Sequence, residues 1–390
     1  TWIGKMPPEI RRESPWLLYW SGVCRMAPDP FESRVHFEAA FQKFSETEHS
    51  TGMLLAWSGV VESILFAWDD YKIIDPWIDW LDACIAAGRT FPDPEVEARV
   101  TTSMAGALCL RCPQRSDACD WIERALALSK QTGDINLQFA ALHHAAFYHM
   151  QIGDFDALDI LIQRTKEIAS SPGASDAIVL RSKAFEPMKT EISPVNYRKT
   201  VTEATECLAM ARETGANMLD FWHYAHGVYG AFNTHDLAKA AELLRGMQAI
   251  SRNGPRIALD QYHFLLAWYH FLRADVAKAV EIAEKSLEMV LKSGLCNPEV
   301  VCRQLVARVL QADGKWQAAA KQLQIVKQLS AALGKDGYFY HVCLLIEAQF
   351  NLDSGNNKEG LLFLGQALRI GRQRGYMTLM FCWQIGRAHV

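Results

Sequence analysis

The chain has 390 residues, of which half are apolar, 11% aromatic and 22% charged, with a formal net charge of -4. That composition supports a large buried core and excludes a disordered chain. The slightly acidic balance argues against a general nucleic-acid grip, which needs a basic face.

Residues 1–52 read as a lead-in segment and a first helical hairpin, with Pro15 and Pro30 placed to open helices in their first turn. Residues 53–88 read as the second hairpin. Its apolar run MLLAWSGVVESILFAW is interrupted by Glu62 and two serines and is too short to cross a bilayer. Asp69 and Asp70 begin a DDxxD-like run, but Ile73 stands at its fifth position, so the metal–diphosphate motif is incomplete and a solvated turn is the reading.

Residues 96–133 carry CLRC at 109–112 and a further cysteine at 119. A structural zinc site needs four ligands, and no second pair follows. Residues 135–173 contain His143, His144 and His149, whose spacing does not place two ligands on one helical face. His223 and His226 have that spacing without further ligands, and a packing or groove-lining role is expected for them. In 174–215, Pro187 and Pro194 interrupt the helical pattern, and the superhelix is expected to change direction there. Residues 376–390 read as a truncated last helix.

The fold is decided by a repeat between Asp236 and Gly375. Four segments close on Gly254, Gly294, Gly334 and Gly375, at spacings of 40, 40 and 41 residues. A fixed period of this size marks a repeat architecture. Ala240, Ala279, Ala319 and Gly360 place a small residue early in each copy, where a neighbouring helix can cross closely. Apolar residues recur at helical steps, as in Ala279, Ile282, Ala283, Leu287 and Val290, and predict one buried stripe per helix. The terminal glycine suits a left-handed cap. Read backwards, Gly215, Gly173, Gly133, Gly88 and Gly52 continue the ruler. Segments such as LQFAALHHAAFYHM supply the first (A) helix of each hairpin and the glycine-closed segments the second (B). The expectation is an all-α, right-handed solenoid superhelix of about nine tetratricopeptide-like hairpins, forming one domain over 1–390 with repeats at 53–375.

No GxxxxGK[ST], GxSxG or HExxH motif occurs, and no carboxylate pair is placed with clear reason, so no enzyme, cofactor or metal site is expected. The ten cysteines are scattered, mostly on apolar helical faces, which suits a reducing cytoplasm. In tetratricopeptide-like stacks the A helices line the concave side. Alignment on the turn before each B helix places His143, Phe147, Arg181, Met188, Glu191, Trp222, Tyr229, Asn233, Gln261, Phe264, Trp268, Gln304, Arg308, Gln311 and Gln349 inward. Aromatics beside amides and charges suit a sugar, a peptide or another polar ligand.

The form of WIERALALSKQTG and AVEIAEKSLEMVLKSG, with the period near 40, resembles the helical repeat region of large MalT-like bacterial regulators of the LuxR class. The opening WIGKMPPEIRRESPWLLYWSGVCRM is similar to the segment that leads into it. The resemblance implies a sensor module that receives a small-molecule inducer or a regulatory protein and communicates with an ATPase switch and a DNA-binding part. Neither part is visible in this sequence. Self-association is compatible with such a module, while direct nucleic-acid or membrane contact is not expected. A free-standing adaptor for protein tails is the alternative reading, and an all-α toroidal glycosidase a further one.

Overall fold

A computed structural model describes residues 6–185, 197–252 and 254–376. Helices account for the regular structure and no strand occurs among the described residues. In order they are Pro8–Glu13 (α1), Pro15–Arg25 (α2), Pro30–Glu46 (α3), Ser50–Ala67 (α4), Asp75–Ala86 (α5), Pro94–Arg111 (α6) and Ala118–Thr132 (α7). There follow Ile135–Ile152 (α8), Phe155–Ala169 (α9), Asp176–Lys183 (α10), Tyr197–Thr214 (α11), Asp220–Asn233 (α12), Leu237–Ser251 (α13) and Arg256–Leu272 (α14). The last are Val276–Ser293 (α15), Cys296–Ala312 (α16), Trp316–Leu333 (α17), Tyr338–Asp353 (α18) and Asn357–Arg374 (α19). The chain is an all-α helical-repeat solenoid. Pro187, Met188, Glu191, Pro194 and the tail from 377 lie outside the described residues.

The helices begin and end where local chemistry dictates. Asp29, Asp93, Asp154, Asp236 and Asp275 each accept a hydrogen bond from a backbone N–H in the first turn of the helix they precede. A carboxylate there satisfies an orphan donor and faces the positive end of the helix dipole. Immediately before the B helices α9, α13, α15, α17 and α19 stands a residue with left-handed backbone: Gly153, His235, Ala274, Gly314 and Gly355. The last four are spaced by 39, 40 and 41 residues, so the turn inside each hairpin repeats the period as faithfully as the glycine closing it. Two of these positions are not glycine, which hid the pattern.

Contacts divide the chain into two compact units, Thr1–Tyr148 and His149–Val390. In the first, α4 is a core helix with Trp57, Val60, Val61 and Ile64 buried. It is longer than the apolar run suggested: its 18 residues are long and apolar enough to cross a membrane, yet 72% of that window is buried inside the protein. Gly52 does not close a helix, contrary to expectation. It lies in the first turn of α4, while Glu48, at φ 51°, takes the left-handed position after α3. Gly52 is required by close approach instead, since a Cβ there would stand 2.3 Å from the Phe44 ring. Asp69 and Asp70 fall in the turn after α4, where Asp70 accepts from the backbone of Lys72 at 2.9 Å.

In the second unit the expected pattern is present, though not at every cap: Gly294 and Gly375 close their helices in the left-handed conformation, whereas Gly334, at φ 139° and ψ 122°, does not. Ala279, Ile282, Ala283, Leu287 and Val290 form the buried stripe of α15. Ala240, Ala279 and Ala319 are fully buried, and a Cβ on Gly360 would meet Leu352 at 2.7 Å, so these small residues set how closely helices cross. The unit also closes on itself. Tyr376 Oη donates to the carbonyl of Gly153 at 3.1 Å, across 223 positions of sequence. Tyr376, Tyr338, Phe155 and Ile370 pack around that contact.

Candidate functional site

The A helices of the second unit, α12, α14, α16 and α18, carry most of the residues read as groove-lining. Their side chains join each A helix to the next. Gln261 Nε2 on α14 donates to Tyr229 Oη on α12 at 3.0 Å. The Arg308 guanidinium on α16 lies over the Trp268 ring of α14 at 5.2 Å and over Phe271 at 5.7 Å. Gln304 Nε2 on α16 donates to the Phe339 carbonyl of α18 at 3.2 Å. Gln311 Nε2 donates to Asp353 at 2.7 Å, and Gln349 donates to the other oxygen of the same carboxylate. Residues 32 to 42 positions apart become lateral neighbours because successive A helices pack side by side, as the period requires.

Burial separates the predicted residues. Trp222 is 8% exposed, Tyr229 5%, Trp268 6% and Gln304 6%, so these are packed into the seams. Gln261, Arg308, Asn233 and Arg181 are half-buried. Asn233 Nδ2 has no hydrogen-bond partner. Phe264 packs on Trp268 at 6.5 Å. His143 and Phe147 belong to the other unit, where they are buried with ring centroids 4.9 Å apart. Glu191 and Met188 are outside the described residues. The seams therefore bring together Tyr229 with Gln261 and Trp268 with Arg308, which the sequence placed on different repeats.

Electrostatics adds residues the pattern did not single out. His223 is 1% exposed, neither ring nitrogen has a hydrogen-bond partner, and burial, helped by His226 and Lys183, lowers its pKa to about 3. Burial lifts the Asp220 carboxyl to about 6 against the nearby Arg212. Burial also raises Glu347, opposed by its hydrogen bond from Lys327, whose ammonium lies 4.7 Å from the Phe363 ring. The helical spacing of His223 and His226 was visible, but the unpartnered ring nitrogens of His223 were not. Among the described residues no group of three His, Cys, Asp or Glu side chains is placed to hold a metal ion.

Comparison with solved structures places this architecture. A Rap protein, solved in complex with competence and sporulation factor, superposes with a TM-score of 0.56 over 83% of this chain and 99% of its own, at 7% sequence identity. The likeness is one of fold. A signal-transduction ATPase with numerous domains and a tetratricopeptide-repeat sensor, from Pyrococcus horikoshii, gives 0.42 over 88% of this chain and 53% of its own, at 14% identity. No family model matches the chain, and no curated protein matches it.

Proposed function

We propose that this chain is a non-catalytic binding module whose A-helix face, between residues 220 and 353, receives a protein partner or inducer. One observation carries the reading. Successive A helices are stitched by Tyr229–Gln261, Trp268–Arg308 and Gln304–Phe339, and the first two stitches leave Gln261 and Arg308 half-buried beside aromatic rings. A ligand lying across two seams would meet apolar surface for affinity and directed donors for orientation. The Rap protein that shares the fold was captured with competence and sporulation factor bound, which supports an effector for such an array.

In the fuller form of this reading the chain acts as one module, the sensor region of a cytoplasmic bacterial transcriptional regulator. A ligand bridging neighbouring repeats favours one curvature of the array, and that bias passes to an ATPase switch and a DNA-binding part carried elsewhere in the regulator. The test is a thermal-shift panel of sugars, amino acids, nucleotides and short peptides on the wild type and on Arg308→Ala. A ligand at 100 times its dissociation constant adds about 2.7 kcal/mol of stability. A shift in the wild type that Arg308→Ala abolishes supports the reading. A shift of equal size in both proteins places binding elsewhere and overturns the assignment.

A further inference from the structure

The first unit contains a cavity of its own. Residues from the end of α3, the start of α4, α5 and the 88–91 loop line this open cavity of about 630 Å³. Ligand pockets commonly run from roughly 300 to 1,000 Å³. Met53, Leu54 and Leu81 form an apolar floor, each under 10% exposed. Trp80 and Phe91 form walls, and both are held from outside. The Phe41 ring meets Trp80 edge-on at 5.0 Å, and the Arg124 guanidinium lies 5.4 Å from the Phe91 centroid while bonded to Glu97. The aromatic surfaces are therefore formed before any ligand arrives.

The rim carries one cation and one anion. Arg89 and Glu48 both line the cavity and are exposed, and neither side chain has an ion-pair or hydrogen-bond partner among the described residues. In the same unit Arg25, Arg99, Arg111, Arg115 and Arg124 are each paired to a carboxylate. Arg89 also stands close to Cys84 in the wall. Burial raises that thiol's pKa, and the guanidinium opposes the rise. An apolar floor with aromatic walls, a guanidinium and a carboxylate suits a molecule with an apolar body, a carboxylate and an ammonium group.

We propose that this cavity binds a small apolar zwitterion, a free amino acid with a large apolar side chain or a dipeptide of such residues. Its carboxylate pairs with Arg89, its ammonium with Glu48, and its side chain lies between Trp80 and Phe91 over Leu81. The two sources share this chemistry and differ in length.

The test is calorimetric titration of the chain with leucine, phenylalanine and leucyl-phenylalanine, and with their carboxamide and N-acetyl derivatives. Cys84 alkylation is read in parallel by peptide mass spectrometry. The expected result is binding with protection of Cys84, weakened about tenfold or more when either charge of the ligand is blocked. Arg89→Gln abolishes the discrimination between carboxylate and carboxamide, and Glu48→Gln that between amine and N-acetyl. Both positions are on the surface, so both variants fold. Tighter binding of the free amino acids or of the dipeptide supports the site and identifies its source. Absence of heat and of Cys84 protection at millimolar ligand overturns the proposal, as does binding that neither variant weakens.

Discussion

Acid stability gives the sharpest test of the packing around α12. His223 is neutral when folded, because burial, with smaller contributions from His226 and Lys183, lowers its pKa from 6.5 to about 3. The unfolded chain binds a proton at this side chain below pH 6.5 and the folded chain does not until about pH 3. Stability is therefore complete above the unfolded value and is lost as pH falls through the window between the two. At about 1.36 kcal/mol per pKa unit, integration from pH 7 to pH 5 gives a loss of about 2 kcal/mol, rising to about 5 kcal/mol below pH 3. Burial also lowers His263 and His341, and these titrate in the same direction, so the informative quantity is a difference between two proteins. His223→Phe fills the same space without a titrating group or unpaired ring nitrogens. Urea unfolding at pH 7 and pH 5 should show the wild type losing about 2 kcal/mol more than the variant, a midpoint difference near 1 M for a slope of about 2 kcal/mol/M. Identical acid losses in the two proteins would refute the assignment of a buried, neutral His223.

Three further outcomes follow from the geometry. Gly59→Ala places a Cβ 2.4 Å from the buried Phe37 ring, so thermal unfolding should show a loss of about 1–3 kcal/mol. Ala274→Gly relieves a left-handed backbone, φ 61°, and should raise stability by about 0.5 kcal/mol, the strain released exceeding the added chain entropy. Tyr376→Phe removes a hydroxyl that donates to a carbonyl 223 positions away; hydrogen exchange near 150–155 and 334–341 should speed up, with a cost of about 1–3 kcal/mol, while the B helix α15 keeps its protection.

The architecture was legible because a helical repeat writes its period into composition. Glycines at 215, 294 and 375 have the left-handed backbone their position implies, and the stripe of α15 is buried as its spacing requires. Gly52 shows where the ruler misleads: a glycine at the right interval served helix crossing over Phe44, and the left-handed turn belonged to Glu48. His235 and Ala274 show the converse, since a turn held by its flanking helices tolerates a side chain in a backbone region that favours glycine. For the site, periodicity placed Tyr229, Gln261, Trp268 and Arg308 on A helices, but it could not say that the rings would be buried in the seams. Each depends on the side chain of the next repeat. The Tyr376–Gly153 contact and the cavity at Trp80 and Phe91 join segments whose proximity no local pattern encodes.

The central claim is that the A-helix face of the second unit binds a ligand or partner. The most direct measurement is selection of peptides from a displayed random library against the chain, followed by hydrogen-exchange mapping of the best binder. The account predicts protection concentrated on α12, α14 and α16, with binding lost in Arg308→Ala. Protection confined to the B helices α13, α15 and α17, with Arg308→Ala binding as tightly as the wild type, would contradict it.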